Sequence, residues 1–269
     1  MAKFALIGSP ISHSKSPALF AAAYSGNKHT YSLLEEDDAL KAVEKFLKSD
    51  LKGVNVTSPF KDKVMEYVSC PDRISSLLGS ANVLIKGSGF TPESPEVYSY
   101  NTDYYGVKDT IAEFLEKKDL LPYNICQNGV GNVLVVGAGG AGKAAALAMC
   151  DMGFNVKLAN RSAGKIADFA TEIGAEYVSL SDLETAVNWA DVIVYSLSFL
   201  VEGLKKCNFS KKIVFEANYA KPSLSPKKGF ECGLYIDGRN WLYHQAVPAF
   251  ELFTGENPNV LAMRDIIGV

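Results

Sequence analysis

The stretch VLVVGAGGAGKAAA, residues 133–146, constrains this chain more than any other. An apolar run, a cluster of glycines and a run of alanines read as a buried strand that turns sharply into a buried helix. Such a turn aims backbone N–H groups and a helix N-terminus at a phosphate. Two designs use it. From Gly137 the stretch spells G-x-x-x-x-G-K, but a P-loop continues with Ser or Thr to hold magnesium, and Ala144 stands there. From the same glycine it spells G-x-G-x-x-G. Gly137 then makes the tight turn, Gly139 lets the backbone approach a pyrophosphate, and Gly142 lets the helix pack on the sheet, with Gly140 and Ala141 opening that helix. Every position of the second design is filled, so a dinucleotide site is expected.

At the end of the next strand of such a unit an acidic residue would grip a ribose 2′-hydroxyl. This chain has Asn160, Arg161 and Ser162 there, with Lys165 following. Arginine, hydroxyl and lysine together suit a 2′-phosphate, which points to NADP rather than NAD. Without the glycine turn beside them, Arg161 and Lys165 would also suit an ordinary solvated surface pair.

A dinucleotide domain needs alternating strands and helices, and the flanking sequence supplies them. VLVVG, VKLAN, AEYVSL, ADVIVY, KIVFEA and GLYID are strand candidates. Helices are expected near 140–152, 162–172 and 181–188, the third opening on Ser181-Asp-Leu-Glu184 as a capping box. The first hundred residues repeat the alternation. KFALIG, the segment around HTYSLL, GVNVT and ANVLIK read as strands, and helices are expected near 17–25, 38–49 and 60–68, introduced by Ser16-Pro17, Asp37-Asp38 and Ser58-Pro59. This spacing predicts a mostly parallel sheet with covered faces. Loops are expected over 86–96 and 121–131, a helix over 101–118, and two further helices near 240–254 and 258–267, the last announced by Asn257-Pro258. The expected architecture is therefore α/β in two domains, 1–104 completed by 238–269, and a doubly wound Rossmann domain over 105–237. A length of 269 residues suits two ordinary domains.

Composition narrows the partners. A net charge of −3 argues against a nucleic-acid or anionic-membrane surface, and a small-molecule ligand is expected. The chain is expected to act as a monomer or homodimer. No apolar run is long enough to cross a bilayer or to form a signal-peptide core. The five cysteines are odd in number and contain no C-x-x-C, which suits a reducing cytoplasm, and His13, His29 and His244 have no metal-ligand spacing.

Substrate chemistry must come from the front half. Three polar clusters follow expected strands there: Ser12-His-Ser14-Lys-Ser16, Asn55-Val-Thr57-Ser-Pro-Phe-Lys61 and Asn101-Thr102-Asp103. Open α/β sheets bind ligands beyond the carboxyl ends of their strands, and hydroxyls, amides, an ammonium and a carboxylate converging there would suit a small polyol acid. The serines would equally well cap a helix at Pro17, and Asn-Thr-Asp is good capping material as well.

GSPISHSKSP (8–17), GVNVTSPFK (53–61), NTDYYG (101–106), GAGGAGK (137–143), NRS (160–162), and Asp237-Gly238 followed by Gln245-Ala246 resemble, in order, the motifs of the shikimate dehydrogenase family. The resemblance covers both halves of the chain. It implies NADP-dependent interconversion of shikimate and 3-dehydroshikimate, with Lys61 and Asp103 as the catalytic pair. It implies further that Ser14 and Ser16 hold a carboxylate, that Asn55, Thr57, Asn82, Asp103 and Gln245 hold ring hydroxyls, and that Tyr219 also contacts substrate. Gly238 joins the glycine turn, Asn160, Arg161, Ser162 and Lys165 in the cofactor set, and the C-terminal helices return to the first domain.

The chain also departs from the family. Asn82-Val83 replaces Asn-Thr, Tyr195-Ser-Leu-Ser198 replaces an Asn-Ala-Thr turn, Asn240-Trp241-Leu242 replaces Gly-Met-Leu, and Glu216 stands where aspartate is usual. A quinate or quinate/shikimate enzyme using NAD would carry an acidic residue in place of Arg161. Against a non-catalytic shikimate or nucleotide sensor stand the intact Lys61 and Asp103, and in its favour the altered segments at 195–198 and 240–242, which lie near the nicotinamide in the family.

Overall fold

The computed structural model describes residues 1–24, 29–91, 96–116 and 131–269. Most of the 121–131 segment, Cys126, part of the 86–96 loop and the end of the 101–118 helix lie outside the described residues. The strands are β1 (Lys3–Gly8), β2 (Thr30–Glu35), β3 (Gly53–Val56), β4 (Cys70–Pro71), β5 (Val83–Lys86), β6 (Val97–Tyr100), β7 (Asn132–Val136), β8 (Asn155–Asn160), β9 (Glu176–Ser179), β10 (Val192–Tyr195), β11 (Phe209–Glu216) and β12 (Cys232–Ile236). The α-helices are α1 (Ser16–Ala23), α2 (Ala39–Lys48), α3 (Arg73–Leu78), α4 (Asp103–Glu116), α5 (Gly140–Asp151), α6 (Lys165–Glu172), α7 (Leu183–Trp189), α8 (Gly238–Thr254) and α9 (Val260–Ile267). Two compact units result, Met1–Asp103 with Tyr243–Val269, and Tyr104–Leu242.

The first unit holds a six-stranded sheet in the order β2-β1-β3-β5-β6-β4. β1 pairs with β2 and β3 in parallel, and β4 with β6 in parallel, whereas β5 runs antiparallel to both β3 and β6. The parallel arrangement expected from the sequence thus covers the outer strands, and the reversed β5 interrupts it. Val83 pairs with Asn55 on one side and Tyr100 on the other. The end of β3, the start of β5 and the end of β6 therefore lie at one edge of the sheet. The ends of β1 and β2 join them, because Ile7 pairs with both Val56 and Leu34. That edge gathers every polar cluster of the front half.

Several local expectations are corrected here. The helix expected near 60–68 is a 3-10 turn over Lys63–Tyr67. The Lys61 carbonyl, which an α-helix would need for the Met65 amide, accepts Ala81 N–H at 2.8 Å instead, and Met65 N–H turns to Asp62. Phe60 and Val64 are buried at 1% and 0% exposure, which fixes the turn on the core. Asp38 caps α2 through Lys41 N–H, whereas α1 begins at Ser16 and its N-cap, Lys15, makes no side-chain cap bond. The short β4, α3 and β6 had no clear periodic signal. α3 is a six-residue helix bounded by an Asp72 cap and Gly79 in the left-handed region.

Aromatic packing ties α8 to the first sheet. Phe253 stacks on Phe4 at 4.7 Å and lies so close to Gly53 that an added Cβ would come within 2.7 Å of its ring. Phe20 stacks on Tyr31 at 4.3 Å and meets Phe250 at 6.2 Å. Burying a ring of this kind contributes about 1.5–3 kcal/mol. α9 is capped by Asn259, whose side chain accepts Ala262 N–H, so the helix starts two residues later than the Asn257-Pro258 signal suggested.

The second unit holds six parallel strands in the order β12-β11-β10-β7-β8-β9. This is the doubly wound order, with the switch point between β7 and β10. α6 begins at Lys165 rather than near 162, because Gly164 takes a φ of 47° just before it. The expected capping box at Ser181 does not form. Ser179 accepts Ser181 N–H, the two hydroxyls pair at 2.9 Å, and a 3-10 turn over Leu180–Asp182 precedes α7. The crossovers from β10 to β11 and from β11 to β12 carry 3-10 turns, Glu202–Lys206 and Pro226–Lys228.

Candidate active site

At the polar edge of the first unit, Lys61 Nζ stands 2.5 Å from Asp103 Oδ2. Their side chains are 17% and 8% exposed, so the pair is shielded yet reachable. Each member is placed by its own chain neighbourhood. Lys61 follows the buried Phe60, and its carbonyl is held by Ala81. Asp103 is the first residue of α4, and the first-turn amide it carries is accepted by Asn101 Oδ1 at 3.2 Å. Asn101 in turn donates to Ser80 O at 2.8 Å. Asn101 therefore satisfies the helix start, which leaves the Asp103 carboxylate for Lys61.

Beside the pair runs a continuous hydrogen-bonded network. Tyr31 Oη donates to Asn55 Oδ1 at 2.8 Å, and Asn55 Nδ2 donates to Asn82 O at 3.2 Å. Asn82 Nδ2 reaches Thr102 Oγ1 at 3.0 Å and Gln245 Oε1 at 3.1 Å, while Asn82 Oδ1 accepts Thr102 N–H at 2.7 Å. Thr102 Oγ1 lies 3.4 Å from Gln245 Oε1. Asn55, Asn82, Thr102 and Asp103 are all buried. The structure thus brings together Asn55, Asn82 and Gln245 from the expected set and adds two residues that the sequence reading assigned no role, Tyr31 and Thr102. Thr102 stood inside a quoted motif, whereas Tyr31 was hidden in a strand pattern. Thr57 occupies the same edge, its amide bound to Ile7 O at 3.0 Å.

Ser14 and Ser16 sit where β1 leads into α1. Ser14 Oγ accepts Ser16 N–H at 3.2 Å in a turn just ahead of the helix, and Ser16 is buried at the first helical position. Burial pushes the Tyr31 phenol far above its ordinary pKa, and a hydrogen bond with Ser16 works against that rise. Tyr31→Phe leaves the buried Asn55 oxygen without its donor. Its expected cost is about 1–2 kcal/mol, readable as a lower denaturant midpoint with an unchanged slope.

In the second unit the glycine turn has the shape its pattern demands. Gly137 has a φ of 100°, and an added Cβ would meet Ser196 Oγ at 2.6 Å. A Cβ on Gly142 would come within 1.9 Å of Gly137 O. Gly139, the N-cap of α5, faces open space, with no atom within 4 Å of such a Cβ. Ala144 is 0% exposed and packs inward, so no metal-binding hydroxyl could be offered there. Gly139 is not required by its protein neighbours and leaves the backbone open to an approaching pyrophosphate. The residues fit a dinucleotide.

Asn160 closes β8, and its side chain donates to Ser162 O at 3.1 Å. Arg161, Ser162 and Lys165 are exposed. Lys165 opens α6 instead of lying a turn inside it, so a cationic residue stands at the positive end of the helix dipole, an arrangement an anion would relieve. Gly238 packs on the end of β11, where an added Cβ would lie 2.3 Å from Ala217 O. Packing alone explains the glycine at that position.

The divergent segments have structural explanations. Tyr195 is 0% exposed, and its hydroxyl donates to Phe199 O at 2.5 Å and accepts Val201 N–H at 3.0 Å. It ties down the loop after β10, and burial pushes its phenol up to about 12. Ser196 Oγ instead faces the turn, donating to Val136 O at 3.0 Å. Trp241 is buried against Phe215 at 5.4 Å.

The glycine turn at the switch point of a doubly wound sheet places the chain among the dinucleotide-binding α/β proteins. Residues 6–84 match the shikimate dehydrogenase substrate binding domain, and residues 124–212 match shikimate / quinate 5-dehydrogenase. The chain is 33% identical to the shikimate dehydrogenase (NADP(+)) of Halobacterium salinarum over 273 residues, 97% of this chain and 96% of that protein. It is likewise 33% identical to that of Archaeoglobus fulgidus over 279 residues, 97% and 95% of the two chains. The solved shikimate dehydrogenase of Aquifex aeolicus superposes with a TM-score of 0.81 at 25% identity, covering 100% of this chain and 98% of that one. The Thermus thermophilus enzyme, solved with NADP(H) and shikimate, superposes at 0.77 and 25% identity, covering 99% and 98%. The chain belongs to the shikimate dehydrogenase family.

Proposed function

We propose that this protein is an NADP-dependent shikimate dehydrogenase, interconverting shikimate and 3-dehydroshikimate in the route to aromatic amino acids. The Lys61–Asp103 pair carries this reading, since it supplies the transferable proton and the orienting carboxylate that the reaction needs. Bound NADP(H) accepts or supplies the hydride at the ring carbon. In the reducing direction the ketone oxygen gains negative charge, and the Lys61 ammonium stabilises that charge and donates a proton to it. In the oxidising direction the same nitrogen, when neutral, takes the hydroxyl proton and passes it to solvent. Asp103 holds the Lys61 side chain in place and orients the reacting hydroxyl. Ser14 and Ser16 hold the substrate carboxylate, while Asn55, Thr57, Asn82 and Gln245 hold the ring hydroxyls. Thr102 joins that set by virtue of its bonds to Asn82 and Gln245. Tyr219 is a further substrate contact.

The Gly137–Gly142 turn would hold the pyrophosphate, and Arg161, Ser162 and Lys165 would clamp the 2′-phosphate. Arg161→Ala is expected to raise KM for NADP+ by about tenfold to a hundredfold, the loss of a charge-assisted contact, and to leave KM for NAD+ unchanged. Equal effects on both cofactors would remove the clamp. The widely spaced cysteines support a cytoplasmic setting. The test of the activity is shikimate-dependent reduction of NADP+ by purified protein. Bound shikimate without turnover across pH 7 to 10 would instead make the protein a sensor.

A further inference from the structure

Glu216 closes β11 and is 0% exposed, yet the reaction gives it no part. A buried carboxylate is costly unless its oxygens are supplied with donors, and these are. Oε1 accepts Ser223 N–H. Oε2 accepts Leu224 N–H at 3.0 Å and the Tyr235 hydroxyl at 2.9 Å. Tyr235 comes from β12, so the carboxylate joins two strands and the far end of the crossover that leaves its own backbone. Burial and the neighbouring carboxylate push the Tyr235 phenol far up, which keeps it a donor.

The consequence is a loop closed on a single side chain. The chain leaves Glu216, runs through 217–222, and returns at Ser223 and Leu224 to the same carboxylate. Ala217 N–H is fixed on Tyr195 O at 2.8 Å, and Asn218 Oδ1 accepts Lys221 N–H at 3.0 Å. Ser223 and Leu224 are themselves buried, at 6% and 1% exposure. Tyr219 lies in the middle of this span. Both ends of the span are therefore rigid, and Glu216 supplies the link between them.

We propose that Glu216 is a positioning residue that sets the place of Tyr219, and through it the affinity for shikimate. The inference rests on the reading of Tyr219 as a substrate contact. Glutamine in this position keeps one acceptor oxygen but turns an NH2 group toward a backbone N–H, so one of the two amide anchors is lost. Aspartate is a methylene shorter and does not span to both amides.

The test compares steady-state constants and amide exchange in wild type, Glu216→Gln, Glu216→Asp, Tyr219→Phe and the Glu216→Gln/Tyr219→Phe pair. Expected is a rise of about tenfold in KM for shikimate in Glu216→Gln, with kcat and KM for NADP+ within about twofold of wild type, and faster exchange at Ser223 and Leu224. Because both changes act through Tyr219, the double variant should be no worse than the weaker single one. Where Glu216→Gln fails to fold, Tyr235→Phe, which removes one donor and keeps the carboxylate, should give the same split at about threefold. Wild-type KM for shikimate in these variants, additive effects in the pair, or parallel rises in both KM values would overturn the inference. Wild type without turnover would overturn it together with the proposed activity, and Tyr219→Phe with unchanged KM would overturn the substrate contact on which it rests.

Discussion

Lys61→Ala is expected to lower kcat for shikimate oxidation by roughly 10² to 10⁴, the scale of lost general acid–base help, with a much smaller change in KM. The reason is that a proton must move at the reacting oxygen in either direction, and Lys61 at the polar edge combines a transferable proton with a carboxylate 2.5 Å away. The substitution also leaves the Asp103 side chain, 8% exposed, without its cation, so the melting temperature should fall. Adding Asp103→Asn separates the two effects. That double variant should recover the melting temperature and none of the kcat. A Lys61→Ala enzyme with normal kcat would remove the lysine from the chemistry.

The glycine turn gives the second large effect, as a contrast between neighbours. Gly142→Ala drives a methyl group into Gly137 O at 1.9 Å, a backbone atom that cannot yield without moving the β7–α5 turn. Its expected cost is about 3 kcal/mol, the upper end of overpacking penalties, seen as a lower denaturant midpoint. Gly139→Ala meets nothing within 4 Å and has a φ of −72° that alanine adopts freely. That variant should keep its stability within about 0.5 kcal/mol while its Kd for NADP+ rises at least about tenfold, because the methyl group occupies the space of the pyrophosphate. Comparable stability losses in both variants would mean that the turn is only structural.

The two signals differ in how far the sequence carried them. The glycine turn is local, so its strand, its tight bend and the buried Ala144 follow from fourteen consecutive letters, 133–146. Lys61 and Asp103 are 42 residues apart, and no periodicity pairs them; only the resemblance named them together. Asn82, Thr102 and Gln245 meet because β5 runs antiparallel and α8 is bound by Phe250 and Phe253, both tertiary outcomes. The helix expected near 60–68 failed for a similar reason, since Ala81 takes the carbonyl that helix needed. Tyr31 was invisible because an aromatic in a strand ordinarily signals packing, and here its ring does pack on Phe20 while its hydroxyl serves Asn55. Glu216 stood out in the sequence only as a departure from aspartate, and its three donors come from residues that fold back to it.

The most direct measurement sets shikimate and quinate side by side with NADP+ and NAD+, taking kcat/KM for each of the four combinations. The predicted result is a clear maximum for shikimate with NADP+, falling at least about tenfold when either partner is exchanged. A maximum for quinate, or for NAD+, or no turnover with any pair, would contradict the assignment.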